Sequence, residues 1–167
     1  MTLLYDWFQE PTVKQWYARG TSWSVEDIKQ KYLPRVQGKD NIPSFIIYKD
    51  EHPIGFIQYY WLTEHYPEGI QDANHLLFKQ YHPNELVGID LFLADQNNRG
   101  RGLGVRILSY FIQGLPPNIR TIIVDPDATN HQAIRCYEKA GFERTDYSED
   151  ENYLLLLKRR PVNNLIG

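Results

Sequence analysis

The residues with the clearest chemical potential are Arg99-Gly100-Arg101-Gly102-Leu103-Gly104. Three glycines clear side chains from a turn, so a ligand can approach backbone N–H groups directly. The turn opens an apolar-periodic run, which places those groups at a helix N-terminus, where partial positive charge favours an anion, typically a phosphate. Arg99 and Arg101 add full charges of the same sign. A phosphate-bearing ligand is therefore expected. Asp90 is the second signal: it interrupts the otherwise apolar run 86–93, where a carboxylate is costly unless it is partnered or borders a cleft. Asp125 and Asp127 end the next apolar run, where open α/β sheets place ligands, and Glu149, Asp150 and Glu151 follow in a later turn. Such a scatter of carboxylates suits a polycation, although turn formation and plain solvation explain the same residues. The five histidines show no H-x-x-x-H spacing, so no metal is expected. The lone Cys136 excludes an intrachain disulfide and reads as a buried thiol rather than a nucleophile.

The elements that must position these residues follow from periodicity. Residues 3–8 read as a first strand, Pro11 opens a helix that ends at Gly20, and Ser24-Val25-Glu26-Asp27 starts another that stops near Pro34. Residues 44–48 and 54–61 read as strands joined by a short turn. The segment 63–84 is irregular, with room for a short helix near 73–80. Then come a strand at 86–93, the glycine loop, a helix over 103–115, a strand at 121–124 and a helix from Asn130 to Gly141. A last strand pair is read at 142–147 and 153–158. Strands alternating with helices indicate an α/β layered domain.

The bulk properties narrow the partners. The 167 residues suffice for a single domain, 1–167, with a substantial core. A net charge of −3 does not suggest a nucleic-acid partner. No apolar stretch approaches the ~20 residues that span a bilayer, and residues 1–10 do not read as a secretory signal, so a cytoplasmic protein is expected. Aromatic residues make up 14% of the chain, enough to line a pocket as well as fill a core.

Arg99, Gly102 and Gly104 fit the pattern R-x-x-G-x-G, and Asn130-His131-Gln132-Ala133-Ile134-Arg135-Cys136-Tyr137-Glu138-Lys139-Ala140-Gly141-Phe142 follows at the next helix. Together these resemble the acetyl-coenzyme A signature of the GNAT N-acetyltransferase superfamily. Val87-Gly88-Ile89-Asp90, Val124-Asp125-Pro126, Tyr32-Leu33-Pro34 and Pro53-Ile54-Gly55-Phe56-Ile57-Gln58 extend the resemblance to aminoglycoside 6′-N-acetyltransferases. The segment 63–85 departs from them, since it lacks a tryptophan pair found there.

The resemblance implies a GNAT fold: a mixed, mostly antiparallel central sheet with a splayed strand pair, flanked by about four helices. It implies acetyl-coenzyme A as donor, without a metal, and direct attack by an amine in a ternary complex. Leu91, Phe92 and Leu93 would offer backbone groups to the coenzyme, with an N–H near Leu91 or Phe92 polarising the carbonyl. Arg99, Gly100, Arg101, Gly102, Leu103 and Gly104 would hold the pyrophosphate. Asn130 and Ala133 would border the pantetheine chain, and Tyr137 would protonate the departing sulfur. Asp90 would be base or anchor for the amine. Trp16, Tyr17, Tyr32, Asp125, Asp127 and Asp150 would meet a polycationic aminosugar. The alternatives are another amine or hydroxylamine acceptor (a siderophore precursor, a polyamine or a protein) or a non-catalytic acyl-coenzyme A sensor. A monomer or homodimer is expected.

Overall fold

A computed structural model describes residues 2–94 and 102–161. In chain order the elements are α1 (Thr2–Gln9), α2 (Pro11–Trp16), α3 (Val25–Val36), β1 (Ser44–Lys49), β2 (His52–Trp61) and α4 (Leu77–Gln80). A 3-10 turn (Pro83–Glu85) leads into β3 (Leu86–Leu93), α5 (Leu103–Gln113), β4 (Thr121–Val124), α6 (His131–Lys139), β5 (Glu143–Arg144) and β6 (Leu156–Arg159). The sheet has six strands in the order β1-β2-β3-β4-β6-β5. The β1–β2, β4–β6 and β5–β6 pairs are antiparallel, while β3 and β4 run parallel. This is the mixed, mostly antiparallel α/β architecture expected. The parallel register pairs Leu86, Val87 and Gly88 with Thr121, Ile122 and Ile123, the first three residues of an eight-residue strand. No helix among the described residues is long and apolar enough to cross a membrane.

Several elements depart from expectation. The run 3–8 is helical, not a strand: Leu4 and Phe8, one helical turn apart, are the residues it buries. With α1 and the single-turn α4, the described residues hold six α-helices rather than about four. The anticipated helix start is a capping box formed by Ser24 and Asp27 on α3, but that helix runs through Pro34 and ends at Val36. The last strands are shorter than expected. Past Arg144, the Thr145 hydroxyl donates to the Leu155 carbonyl (2.7 Å), and the chain then turns at Ser148 and Asp150.

The chain falls into two compact units, residues 1–60 with 90–103, and residues 61–89 with 104–167. The first unit is organised by aromatic rings. Leu4, Phe8, Val13, Ala18, Ile28, Tyr32, Phe56 and Phe92 are buried together, with Trp7, Tyr17 and Trp23 packed against them. Gly55 allows β2 to approach β3 closely, because a Cβ there would stand 2.4 Å from the Phe92 carbonyl oxygen. The second unit buries aliphatic side chains from strands and helices, among them Leu86, Val87, Leu108, Ile122, Ile123, Ile134, Leu155 and Leu156. Its segment 63–84 is tied to the end of β4 and to the turn before β6. Glu68 N donates to Asp125 Oδ2 (2.7 Å), Glu149 N to Gly69 O (2.8 Å) and Gln71 N to Glu149 Oε1 (3.2 Å). His75, buried, accepts from Leu77 N at Nδ1 (3.0 Å). Its proton therefore lies on Nε2, which donates to the Tyr147 carbonyl (2.8 Å).

Candidate active site

The acceptor-side candidates in the first unit gather around Asp90. Side chains alternate along a strand, so Asp90 and Phe92 share one face of β3 while Leu91 and Leu93 take the other. Phe92 lies 4.6 Å from Tyr17 and 5.7 Å from Phe56, centroid to centroid. Tyr32 packs between Phe8 (5.7 Å) and Phe56 (5.5 Å). Tyr17 and Tyr32 are thus joined to Asp90 through one aromatic wall. Trp16, half-buried at the end of α2, lies outside that ring cluster as described. Burial pushes the Tyr17 phenol well above its ordinary value and moves Tyr32 up to about 12, so both are neutral near pH 7.

Asp90 keeps partial contact with solvent. The protein packed around it raises its carboxyl above the ordinary range, against the pull of the Gln58 hydrogen bond and of the cations Arg19, Lys31 and Arg35. Gln58 Nε2 donates to Asp90 Oδ2 at 2.8 Å. The other end of that amide, Oε1, accepts from Arg35 Nη1 at 3.1 Å and lies 3.2 Å from the Ser44 hydroxyl. Ser44 and Gln58 face each other directly across the β1–β2 ladder. Lys31 lies over the rings of Trp23 (4.7 Å) and Tyr32 (5.4 Å), and its pKa is lowered by burial and by Arg35.

Gln58, Arg35, Ser44 and Lys31 are not among the residues the sequence singles out for the site. A glutamine inside the apolar run Ile54 to Tyr60 is the same kind of signal that marks Asp90. Arg35 gives no signal while α3 is expected to stop near Pro34, whereas the final turn is what carries the guanidinium.

Of the donor-side candidates, Leu91, Phe92 and Leu93 lie on β3, Tyr137 lies late in α6, and the other described ones lie at two helix starts. Gly102 precedes α5 with φ +73° and open space where a Cβ would stand. The backbone conformation asks for glycine there, and among the described residues nothing stands within 4 Å of that Cβ position. Gly104 has a different reason: a Cβ would meet Cys136 Sγ at 2.9 Å, so glycine lets α5 lie close to α6. Leu103 is the first residue of α5. Arg99, Gly100 and Arg101 lie outside the described residues. Asn130 caps α6, its side chain accepting from Ala133 N (3.3 Å). Tyr137 is half-buried on that helix with its ring 5.6 Å from Phe142. Cys136, partly buried beside it, has its thiol pushed up by burial, which suits packing and not nucleophilic attack.

Of the remaining carboxylates, Asp127 and Asp150 are held locally and Asp125 by a distant loop. Asp125 accepts from Glu68 N, Asp127 from the Thr129 amide (2.9 Å) and hydroxyl (2.7 Å), and Asp150 from Asn152 N (2.9 Å). These are turn and loop contacts. Among the described residues no cluster of His, Cys, Asp or Glu could hold a metal ion.

A glycine turn at a helix start and a carboxylate raised by burial can serve a transfer from a phosphate-bearing donor to an amine. Comparison with known proteins gives that chemistry a family. A family model described as an acetyltransferase (GNAT) domain matches residues 1–149. The chain is 30% identical over 158 residues to the aminoglycoside N(6′)-acetyltransferase type 1 of Klebsiella pneumoniae, covering 86% of this chain and 69% of that protein. A kanamycin resistance protein of Rhizobium radiobacter is 46% identical over 59 residues, 34% of this chain and 55% of that protein. The crystal structure of aminoglycoside acetyltransferase AAC(6′)-Ib with coenzyme A and kanamycin superposes with a TM-score of 0.77 at 29% identity, over 96% of this chain and 89% of that one. With one model running through both units and a relative aligned over most of its length, the chain belongs to the GNAT acetyltransferase family.

Proposed function

We propose that the protein transfers the acetyl group of acetyl-coenzyme A to the 6′-amine of an aminoglycoside by direct attack. The acetyltransferase activity for which the Klebsiella pneumoniae relative is named, and the coenzyme A and kanamycin bound in the AAC(6′)-Ib structure, support donor and acceptor. On the donor side, the glycine turn at Gly102 and the first amides of α5 fit a pyrophosphate, and Arg99 and Arg101 supply charge. Asn130 and Ala133 border the pantetheine chain. Leu91, Phe92 and Leu93 offer it backbone groups. Acetyl-coenzyme A supplies an activated acyl group and a leaving thiolate. Tyr137 holds the proton that the sulfur takes as it leaves.

The observation that carries the reading is Asp90. An alkyl ammonium has a pKa near ~10 and a free Asp near ~3.9, a gap of roughly six units or about 8 kcal/mol against direct proton transfer. Burial narrows that gap by raising Asp90. Arg19, Lys31 and Arg35 favour the neutral, nucleophilic form of an amine bound beside them. Asp90 therefore positions the amine and takes its proton, and Trp16, Tyr17 and Tyr32 present rings to the acceptor. Asp125, Asp127 and Asp150 lend negative potential for a polycation.

A second reading has its own support. The three cations facing Asp90 suit an acceptor with fewer positive charges, such as a hydroxylamine or a diamine. Both readings keep one domain over 1–167, a monomer or homodimer, working in the cytoplasm. Free-thiol release from acetyl-coenzyme A, with kanamycin, tobramycin, a diamine or a hydroxylamine, separates them. Turnover on aminoglycosides, lowered ~100-fold or more in kcat by Tyr137→Phe, is expected. Turnover on the diamine or hydroxylamine alone selects the second reading. Tight coenzyme binding without turnover on any amine would mark a sensor and overturn both.

A further inference from the structure

Asp90 has two carboxylate oxygens, and the structure treats them differently. Oδ2 accepts from Gln58 Nε2 at 2.8 Å. Gln58 is itself buried, at 4% exposure, so its amide has no solvent alternative. Arg35 can only donate, so the Gln58 atom facing Nη1 at 3.1 Å must be the carbonyl oxygen. The nitrogen is thereby aimed at Asp90. The Ser44 hydroxyl, 3.2 Å from the same oxygen and 3.1 Å from the Ile42 carbonyl, donates to one or the other and reinforces this orientation when it points to Gln58. A flipped amide would set N–H against guanidinium and C=O against carboxylate, two repulsive contacts at once.

We infer that Gln58 is a positioning residue for Asp90, its amide locked by Arg35 and Ser44 so that Oδ2 stays occupied and Oδ1 is the oxygen that receives the proton of the acceptor amine. The proton leaves the amine nitrogen as its lone pair attacks and binds Oδ1, so that Asp90 becomes neutral while still accepting from Gln58 at Oδ2. The chain Arg35–Gln58–Asp90 also couples a full positive charge to the carboxylate through a neutral amide, across α3, β2 and β3. Among the described residues, the charged and titratable groups that face Asp90 are Tyr17, Arg19, Lys31, Tyr32 and Arg35. Removing the Gln58 donor while these remain isolates its contribution. The inference rests on the assignment of Asp90 to the acceptor amine, and it holds for any amine acceptor.

Two substitutions test it. Gln58→Leu removes the donor. Gln58→Glu keeps the shape and the Arg35 and Ser44 contacts but places a second anion against Oδ2, and it serves should the leucine variant not fold. The Asp90 carboxyl is followed by carbon-13 NMR titration of the protein alone, and kcat/KM for kanamycin is followed against pH by thiol release. Both variants are expected to titrate Asp90 at higher pH than wild type, with the larger shift in Gln58→Glu. The acid limb of kcat/KM should move the same way, with a loss of ~10-fold or more at pH ~6 that shrinks at pH ~8 and an unchanged KM for acetyl-coenzyme A. An Asp90 titration identical to wild type in a folded variant overturns the inference whether or not the enzyme turns over. A wild type inactive on every amine while the titration shifts as expected would instead overturn the assignment of Asp90 to catalysis, and with it the transfer of a proton to Oδ1.

Discussion

Replacing Gly55 by alanine tests the close approach that fixes β3, the strand that carries Asp90. The new Cβ would stand 2.4 Å from the Phe92 carbonyl oxygen, 3.0 Å from Leu93 Cδ2 and 3.3 Å from Leu93 Cα. Ordinary carbon–oxygen contacts begin near ~3.3 Å, so β2 and β3 must part by about 0.9 Å at this point. Two of the three obstructing atoms are backbone and cannot rotate aside. Overpacking costs roughly 1–3 kcal/mol, and the absence of a side-chain escape puts this site at about 3. Restricting the unfolded chain returns about 0.4–1 kcal/mol. The net loss is about 2–3 kcal/mol, a drop in Tm of roughly 5–10 °C for a chain of this size. Gly114→Ala is the control. Its Cβ would lie 3.6 Å from the Phe111 carbonyl oxygen, an ordinary contact, and its Tm should hold or rise slightly. Thermal and urea unfolding followed by tryptophan fluorescence give the comparison. Because Phe92 is two residues from Asp90, kcat/KM should also fall in Gly55→Ala. Equal midpoints for the two variants would refute the argument that the β2–β3 spacing requires glycine.

Three further perturbations have signs set by the geometry. Gly104→Ala gains about 1 kcal/mol of helix propensity but meets Cys136 Sγ at 2.9 Å. In a double-mutant cycle measured by urea unfolding, it should be clearly stabilising only in a Cys136→Ala background, and additivity would contradict the contact. Burial raises the Asp90 carboxyl in the folded state, so its contribution to stability is full below the unfolded value near ~3.9 and is lost as pH rises through the folded value. Asp90→Asn should therefore gain stability relative to wild type as pH rises above about 4 and then level off; a pH-independent difference in urea midpoints would refute this. His75→Ala removes two hydrogen bonds from a buried ring and should destabilise the second unit by about 2–3 kcal/mol, with faster amide exchange at Leu77 and across 68–71. Unchanged exchange there would show that the 63–84 segment is held by other contacts.

The parts of the fold legible in the sequence are those with a local cause. The glycines at the start of α5, the Ser24 capping box, the Asn130 cap and the apolar strands β3 and β4 each declare themselves within a few residues. Asp90 is legible because a carboxylate in an apolar strand demands a partner. The partner is not legible: Gln58 is thirty-two residues away, and only the sheet register brings it within 2.8 Å. The run 3–8 misleads because its aromatic residues favour strands, while the decisive spacing of Leu4 and Phe8 spans a single turn. Asp125, Asp127 and Asp150 look alike as acids. Their contacts differ, since Asp127 and Asp150 close their own turns whereas Asp125 reaches the amide of Glu68, fifty-seven residues earlier.

The division of the chain into two units has an evolutionary corollary. Asp90, Gln58, Arg35 and the aromatic wall belong to one unit, while Gly104, Asn130 and Tyr137 belong to the other. On the proposed reading the first unit also carries Leu91, Phe92, Leu93 and Gly102 of the donor side, so substitutions that retune the choice of amine leave the donor groups untouched only where they fall outside β3 and the glycine turn. A lineage built this way would explore new acceptors through α2, α3 and β2 while its energy source stays constant.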